Sequence, residues 1–383
     1  MATKRQIRKT SYFSYLVGKP AKGCQLCVKG FKLVLFITGI CSQNQRCFYC
    51  PVSEQKSGKD VIFANEWKIA SPKDIIKEAE LTDAKGAGIT GGDPLVKLDR
   101  VVRYIKMLKK RFGKKFHIHL YTPLNLVTEA KLKRLYQAGL DEIRFHPMLD
   151  KPKEWKRIEL AKKFKWDVGV EIPVIPGKKR ETIKLIDFIK DKVDFLNLNE
   201  LEISDTNVNK LVERGFKPKN KFSYGVKGSE KLAKELLNCL KKSKLNIHYC
   251  TTTTKDKAQL AKRIKRRAVN VALKTDFITT EGTLVRGVIY LPELKPDFGY
   301  GLQVESADNR KYVIKLKKIK RRLQNQLKIP AGLLHVDSVR LRILTSIALV
   351  DDLKDEIKKL HLVPAIVEEY PTWDALEVDV QFL

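Results

Sequence analysis

The stretch Lys32-Leu-Val-Leu-Phe-Ile-Thr38, followed closely by Cys41-Ser-Gln-Asn-Gln-Arg-Cys47-Phe-Tyr-Cys50, sets the terms on which the rest of the chain is read. Its first half is an apolar run of strand length, and its second half puts three cysteines on one loop just beyond that run. Three thiolates on one loop can hold three irons of a [4Fe-4S] cube and leave the fourth iron open to a small molecule. A single zinc ion with some fourth ligand is the alternative reading of the same trio. Further along, a second short apolar run from Gly86 ends in Thr90-Gly91-Gly92-Asp93-Pro94.

Outward from this stretch, apolar extended runs alternate with amphipathic charged segments up to about residue 270. After Lys32 to Thr38 and Gly86 to Thr90, the expected strands are Lys115 to Tyr121, Glu142 to Pro147, Trp166 to Pro173, Phe195 to Ile203 and Leu245 to Tyr249. Helical patterns lie between them, at Pro72 to Thr82, Lys97 to Phe112, Thr128 to Gly139, Pro152 to Phe164, Arg180 to Lys192 and Ser229 to Lys242. That spacing predicts parallel strands joined by crossover helices, and so many units predict a partial or complete (β/α) barrel. Chemistry collects at the carboxyl ends of such strands, where Arg144, His146, Glu171, Asn199 and Glu202 fall. Each of these can equally be an ordinary salt bridge or a solvated polar residue. His117 and His119 share one face of the third strand, where they either pack in the barrel or contact a bound cofactor, while His335 and His361 carry no assigned role.

The periodicity changes after Ala268. Turn signals at Thr279-Thr-Glu-Gly282 and Pro296-Asp-Phe-Gly299 punctuate runs expected to be β-rich, namely Leu284 to Tyr290, Gly301 to Glu305 and Lys311 to Leu316. The expected organisation is a basic N-terminal segment over 1–30, a barrel over 31–270 and a smaller β-rich accessory domain over 271–383.

The cysteine loop resembles that of the radical S-adenosylmethionine superfamily, with the chain as an archaeal-type member carrying a C-terminal accessory domain. The usual motif is C-x3-C-x2-C with an aromatic residue before the last cysteine. Here five residues separate Cys41 from Cys47, and Tyr49 is the aromatic residue. Gly91, Gly92, Asp93 and Pro94 match the Gly-Gly-Glu-Pro-like segment of that superfamily, with Asp in place of Glu. The resemblance implies a [4Fe-4S] cluster on Cys41, Cys47 and Cys50 that binds S-adenosylmethionine and cleaves it reductively to a 5'-deoxyadenosyl radical. It further implies cofactor contacts from Tyr49, Gly91 to Pro94, Arg144, His146, Glu171 and Asn199, and an electron donor such as ferredoxin or flavodoxin.

A second cysteine group is Cys24-Gln-Leu-Cys27, just before the first strand, with Cys250 at the end of the seventh. If the sheet curls toward closure, these come together across the seam, with Cys239 or His248 as a fourth ligand of an auxiliary iron-sulfur cluster or a zinc ion. Packing of Cys239 and Cys250 as small buried hydrophobes is the alternative. Seven cysteines, mostly at short local spacings, suit metal binding in a reducing cytoplasm better than a disulfide framework.

The chain of 383 residues carries 76 Lys and Arg against 44 Asp and Glu, a formal charge of +32. With 43% hydrophobic residues, disorder does not account for that charge, and a polyanionic partner does. No run is long and apolar enough for a membrane span, and the basic start at Met1 lacks the apolar stretch of a secretion signal. Basic blocks at Lys151 to Arg157, Lys178 to Arg180, Lys262 to Arg267 and Lys317 to Arg322 add phosphate-contacting capacity, with Trp155, Tyr290 and Tyr300 as aromatic residues able to stack on bases. The leading expectation is therefore a radical enzyme that modifies RNA, with transfer RNA as its substrate. The alternatives are radical modification of a peptide, lipid or cofactor precursor, and a non-catalytic, metal-stabilised RNA-binding protein.

Overall fold

The computed structural model describes residues 5–42 and 47–383, so Met1 to Lys4 of the basic start and Gln43 to Arg46 of the cysteine loop lie outside the described residues. The chain divides after Arg263 into two compact units.

The first unit contains β1 (Arg8–Lys9), β2 (Tyr15–Val17), β3 (Lys32–Phe36), β4 (Phe63–Ala64), β5 (Trp67–Lys68), β6 (Gly86–Thr90) and β7 (His117–Thr122). These are followed by β8 (Glu142–Phe145), β9 (Asp167–Val174), β10 (Phe195–Glu200), the hairpin β11 (Pro218–Asn220) and β12 (Ser223–Val226), and β13 (Asn246–Cys250). Its helices are α1 (Lys22–Cys27), α2 (Pro72–Leu81), α3 (Leu98–Phe112), α4 (Glu129–Ala138), α5 (Lys179–Ile189), α6 (Val208–Val212) and α7 (Ser229–Cys239).

One sheet runs β1-β2-β13-β10-β9-β8-β7-β6-β3-β4-β5. From β13 to β3 every pairing is parallel, while antiparallel ribbons extend the two edges. Among the described residues no ladder joins β3 to β13, so hydrogen bonding leaves the barrel open. Alternation along the strands sorts two environments. In β7, Ile118 and Leu120 enter the apolar core while Tyr121 lines a cavity; in β8, Ile143 and Phe145 enter the core while Arg144 lines the cavity. The core therefore lies between the sheet and its helices, and the inner face of the barrel carries the strands' polar side chains among apolar ones such as Val34 and Pro173. Helix α3 supplies Val101, Tyr104, Ile105 and Leu108 to that core at helical spacing, each burial contributing about 1.5–3 kcal/mol. Trp155 is part of the same core, which removes it as a base-stacking surface.

Helix α8 (Ala261–Val271) spans the division, and the second unit continues with β14 (Phe277–Ile278), β15 (Leu284–Tyr290), α9 (Tyr300–Ser306), α10 (Asn309–Gln326), β16 (His335–Asp337) and β17 (Arg342–Thr345). It ends with α11 (Ile347–Asp352), α12 (Lys354–Lys359), β18 (Val363–Glu369) and β19 (Glu377–Phe382). An antiparallel sheet of order β16-β17-β15-β18-β19 forms its centre, with β14 on β15. The runs from Gly301 and from Lys311, expected to be strands, are instead the helices α9 and α10. Asp308 caps α10 by accepting from the Lys311 amide, and Leu316 and Leu323, two turns apart, bury the same face. Tyr290 and Tyr300 are buried, not open to bases, and Arg342 is fully buried against Asp337, Glu369, Glu377 and Tyr290. No helix among the described residues is long and apolar enough to cross a membrane.

Candidate active site

A cavity of about 600 Å³ opens inside the first unit, and six of the seven cysteines line it: Cys24, Cys27, Cys41, Cys47, Cys50 and Cys250. Gly91 and Gly92 form part of its wall. They are glycines because the turn after β6 packs backbone against backbone: a Cβ on Gly91 would stand 2.6 Å from the Thr38 carbonyl, and one on Gly92 would collide with that of Ile40. The Gly92 and Asp93 amides continue this close pairing by donating to Thr38 and Ile40. A cradle of bare backbone thus faces the cysteine loop, which suits the approach of an amino-acid moiety.

Asp93 and Pro94, expected to touch a cofactor, are buried beneath this wall and do not line the cavity. Asp93 Oδ1 accepts from the Leu95 amide (3.0 Å) and the Thr122 hydroxyl (2.9 Å), and Oδ2 from the Ser42 hydroxyl (2.5 Å). The carboxylate therefore ties the cysteine loop to β6 and β7. Burial raises its pKa, against the lowering effect of those bonds.

Tyr49 and His146 hold the other side of the loop. His146 Nδ1 lies 2.9 Å from the Glu171 carbonyl oxygen, which only accepts, so Nδ1 carries the proton. Burial keeps the ring neutral by lowering its pKa, and Nε2 then accepts from the Tyr49 hydroxyl at 2.9 Å. Phe48 stacks on Phe216 with ring centroids 6.2 Å apart, and Asn207 donates to the Tyr49 carbonyl. Burial raises the Cys47 thiol pKa, while its bond with Tyr49 works the other way.

Deeper in the barrel, Arg144 is almost fully buried between two carboxylates. Its Nε donates to Glu142 Oε1 (2.5 Å), and its Nη1 donates to Glu171 Oε2 (2.8 Å) and the Tyr121 hydroxyl (3.0 Å). Glu171 also accepts from Asn197 (2.8 Å) and Asn199 (2.9 Å). Burial pushes its pKa upward, but Arg144 and the two amides outweigh burial and hold it down at about 2. Glu202 lines the cavity too and pairs with Lys255 at 2.7 Å.

Helix α1 packs against the inner face of the barrel and not across an outer seam. Its Gly23 amide donates to Glu142 Oε2, and Leu26 lies against Gly86 at the start of β6. Cys24 and Cys27 consequently line the cavity together with Cys250 and His248. Cys239, expected as a fourth ligand, is exposed at the end of α7 and lines no part of the cavity. Among the described residues, no three His, Cys, Asp or Glu side chains stand at metal-ligating distance from one point, and this applies equally to both cysteine groups.

Lys32, Tyr121, Glu142 and Asn197 escaped the sequence reading. All alternate with core residues along their strands, which is the signal that could have found them. Lys32 stands out: its ammonium is buried and lies 3.2 Å from His119 Nε2. Burial acts against the charge, but Cys27, Tyr121 and Cys24 outweigh it and raise the Lys32 pKa.

Comparison with known proteins decides the family. The profile of the radical SAM superfamily matches residues 35–152, and that of a domain of unknown function (DUF8061) matches residues 282–382. A Methanocaldococcus jannaschii protein named "Putative glycyl-radical enzyme activating enzyme" is 39% identical over 379 residues, covering 94% of this chain and 92% of that protein. The chain belongs to the radical SAM superfamily. It is an enzyme that cleaves S-adenosylmethionine by means of an iron-sulfur cluster. Among solved structures, this radical SAM chain resembles Streptococcus suis SuiB bound to S-adenosylmethionine, with a TM-score of 0.41, 12% identity and coverage of 58% of this chain and half (50%) of that one. It also resembles the methyltransferase TsrM from Kitasatospora setae with cobalamin and a [4Fe-4S] cluster bound, with a TM-score of 0.35, 9% identity and coverage of 70% and 63%.

Proposed function

We propose that this radical SAM enzyme generates a carbon-centred radical on a protein or peptide substrate, with glycine as the target residue. The observation that carries this reading is the 39% identity, over nearly the full length of both chains, to a protein named as an activator of glycyl-radical enzymes. Cys41, Cys47 and Cys50 are the proposed ligands of the [4Fe-4S] cluster, and Gly91 and Gly92 the backbone cradle for the methionyl end of S-adenosylmethionine. When bound, the cluster and its cofactor supply one electron and a scissile sulfonium bond, yielding methionine and a 5'-deoxyadenosyl radical that removes hydrogen from the substrate.

The side chains do the positioning. Tyr49 and His146 fix the cysteine loop against β9, and Asp93 fixes it against β6 and β7. Glu171, Asn199 and Arg144 are the proposed polar contacts for the rest of the cofactor, since all three line the cavity and are already oriented by one another. A small electron carrier such as ferredoxin or flavodoxin is the proposed reductant.

A second reading, transfer RNA as substrate, draws on one observation in the second unit: α10 exposes Lys317, Lys318, Arg321 and Arg322 along its length. One experiment separates the two. The anaerobically reconstituted enzyme is incubated with S-adenosylmethionine and reductant, once with glycine-containing peptides and host protein, and once with bulk transfer RNA. A glycine-centred radical signal by electron paramagnetic resonance, with 5'-deoxyadenosine formed in step, supports the protein reading. Modified nucleosides by mass spectrometry, without any protein radical, would replace it with the RNA reading.

A further inference from the structure

The cavity wall carries a set of donors that the radical site does not use. Cys24 and Cys27 are one helical turn apart on α1 and project on the same side. Both line the cavity, as do His248 and Cys250, which lie two residues apart on one face of β13. The register sets His248 beside Asn197 and Cys250 beside Asn199, and Asn197 Nδ2 donates to Cys24 Sγ at 3.2 Å. With strands about 4.8 Å apart, Cys24 and the two β13 residues share one small region.

Two further features do not suit inert packing. His248 is 2% exposed, its Nε2 is paired with the Ser14 hydroxyl at 2.9 Å, and its Nδ1 is buried without a partner. A histidine held at one nitrogen by a hydroxyl and bare at the other is the arrangement found behind metal-ligating imidazoles. In addition, the buried Lys32 ammonium has no carboxylate within 4 Å among the described residues, and Lys32 lines the same cavity as Cys24 and Cys27. Thiolates on a metal would give it the anion that burial calls for. Amide donors are already aimed at the sulfurs: Asn197 at Cys24, and Gln259 Nε2 at Cys250 Sγ, 3.4 Å away.

We propose that this cavity holds a second metal centre, ligated by the thiolates of Cys24, Cys27 and Cys250 with His248 Nδ1 as the fourth donor. Three sulfurs and one imidazole form a soft set, suited to an iron-sulfur cluster or to one zinc ion. The centre is independent of what the radical site acts upon, so it stands whether protein or RNA is the substrate.

The test is metal and sulfide content per chain. With Cys41, Cys47 and Cys50 all changed to alanine, the anaerobically reconstituted protein is expected to retain stoichiometric iron and sulfide, or stoichiometric zinc. Iron with sulfide identifies a cluster, and zinc alone a mononuclear site; either supports the centre. Adding C24A and C27A is expected to remove that complement, and H248A to weaken it. Protein that folds by circular dichroism yet binds neither metal overturns the proposal. Should the multiple variants fail to fold, the wild-type chain decides: Mössbauer spectra and metal analysis showing one cluster's iron, and no zinc, would equally overturn it.

Discussion

The Gly23 amide donates to Glu142 Oε2 at 3.0 Å, a bond that pins an N-terminal helix to the inner face of a strand 119 residues later. Glu142 at the same time receives Arg144, so the helix and the buried arginine share one carboxylate. The close approach requires glycine, because a Cβ at this position would stand 2.5 Å from both Arg144 Nη2 and His119 Nδ1. Gly23→Ala would raise intrinsic helix propensity by about 1 kcal/mol, yet overpacking of this kind costs about 1–3 kcal/mol. The expected outcome is a lower urea midpoint at an unchanged slope. A midpoint equal to or above that of the wild type would mean that α1 does not sit against β8.

Asp93 offers a test of the loop anchor. Asp93→Ala strands the buried Leu95 amide and leaves the Thr122 and Ser42 hydroxyls to their other acceptors, the Pro123 carbonyl and Asn125 Oδ1, at a cost of about 1–3 kcal/mol. Asp93→Asn keeps acceptor capacity on one oxygen and is expected to recover part of that loss. Both variants should also bind S-adenosylmethionine more weakly by equilibrium dialysis, because the loop that Ser42 anchors carries the cysteines. Equal stability of wild type, Asp93→Asn and Asp93→Ala would remove the anchoring role.

Much of this was legible one strand at a time. His117-Ile-His-Leu-Tyr121 and Glu142-Ile-Arg-Phe-His146 alternate with a period of two, which reveals both the strand and its polar inner face. The same local habit misled at Lys311-Tyr-Val-Ile-Lys-Leu316, where a six-residue window looks extended. Only the longer repeat to Leu323, with the Asp308 cap, shows a helix. Lys32 was hidden as the first residue of an apolar run. The meeting of Cys24 with Asn197 and Cys250 had no local signal, since it depends on β13 joining β10 and on α1 entering the barrel. The sequence likewise showed Cys239 near Cys250 in chain order, whereas α7 carries it to the outside.

Glu171 makes acid stability testable. Its pKa is held at about 2, below the ordinary 4.5, chiefly by Arg144 and the two asparagine amides against the opposing effect of burial. A carboxylate with a depressed folded-state pKa stabilises the fold fully above the unfolded value and loses that contribution as pH falls through the window toward the folded value. Wild-type stability is thus expected to decline between pH 4.5 and about 2 by this route. Glu171→Gln should be less stable at neutral pH, because Arg144 loses a charged partner, and its stability should fall less steeply over that acid range. Urea midpoints at a series of pH values measure both, and parallel curves for the two proteins would contradict the assignment.

Cys47 and Tyr49 separate ligation from positioning. Cys47→Ala removes a proposed cluster ligand and is expected to abolish 5'-deoxyadenosine formation in the anaerobically reconstituted protein. Tyr49→Phe leaves every thiol in place but deletes the hydroxyl that bonds His146 Nε2, so iron and sulfide should load normally while cleavage slows by roughly 10-fold, the equivalent of about 1.4 kcal/mol. His146→Ala removes the same link from the other side, and the double variant should cost little more than either single one if both act through that one bond. Additive losses would show that the two side chains act separately. Normal cleavage in Cys47→Ala would remove the cysteine trio from the chemistry altogether.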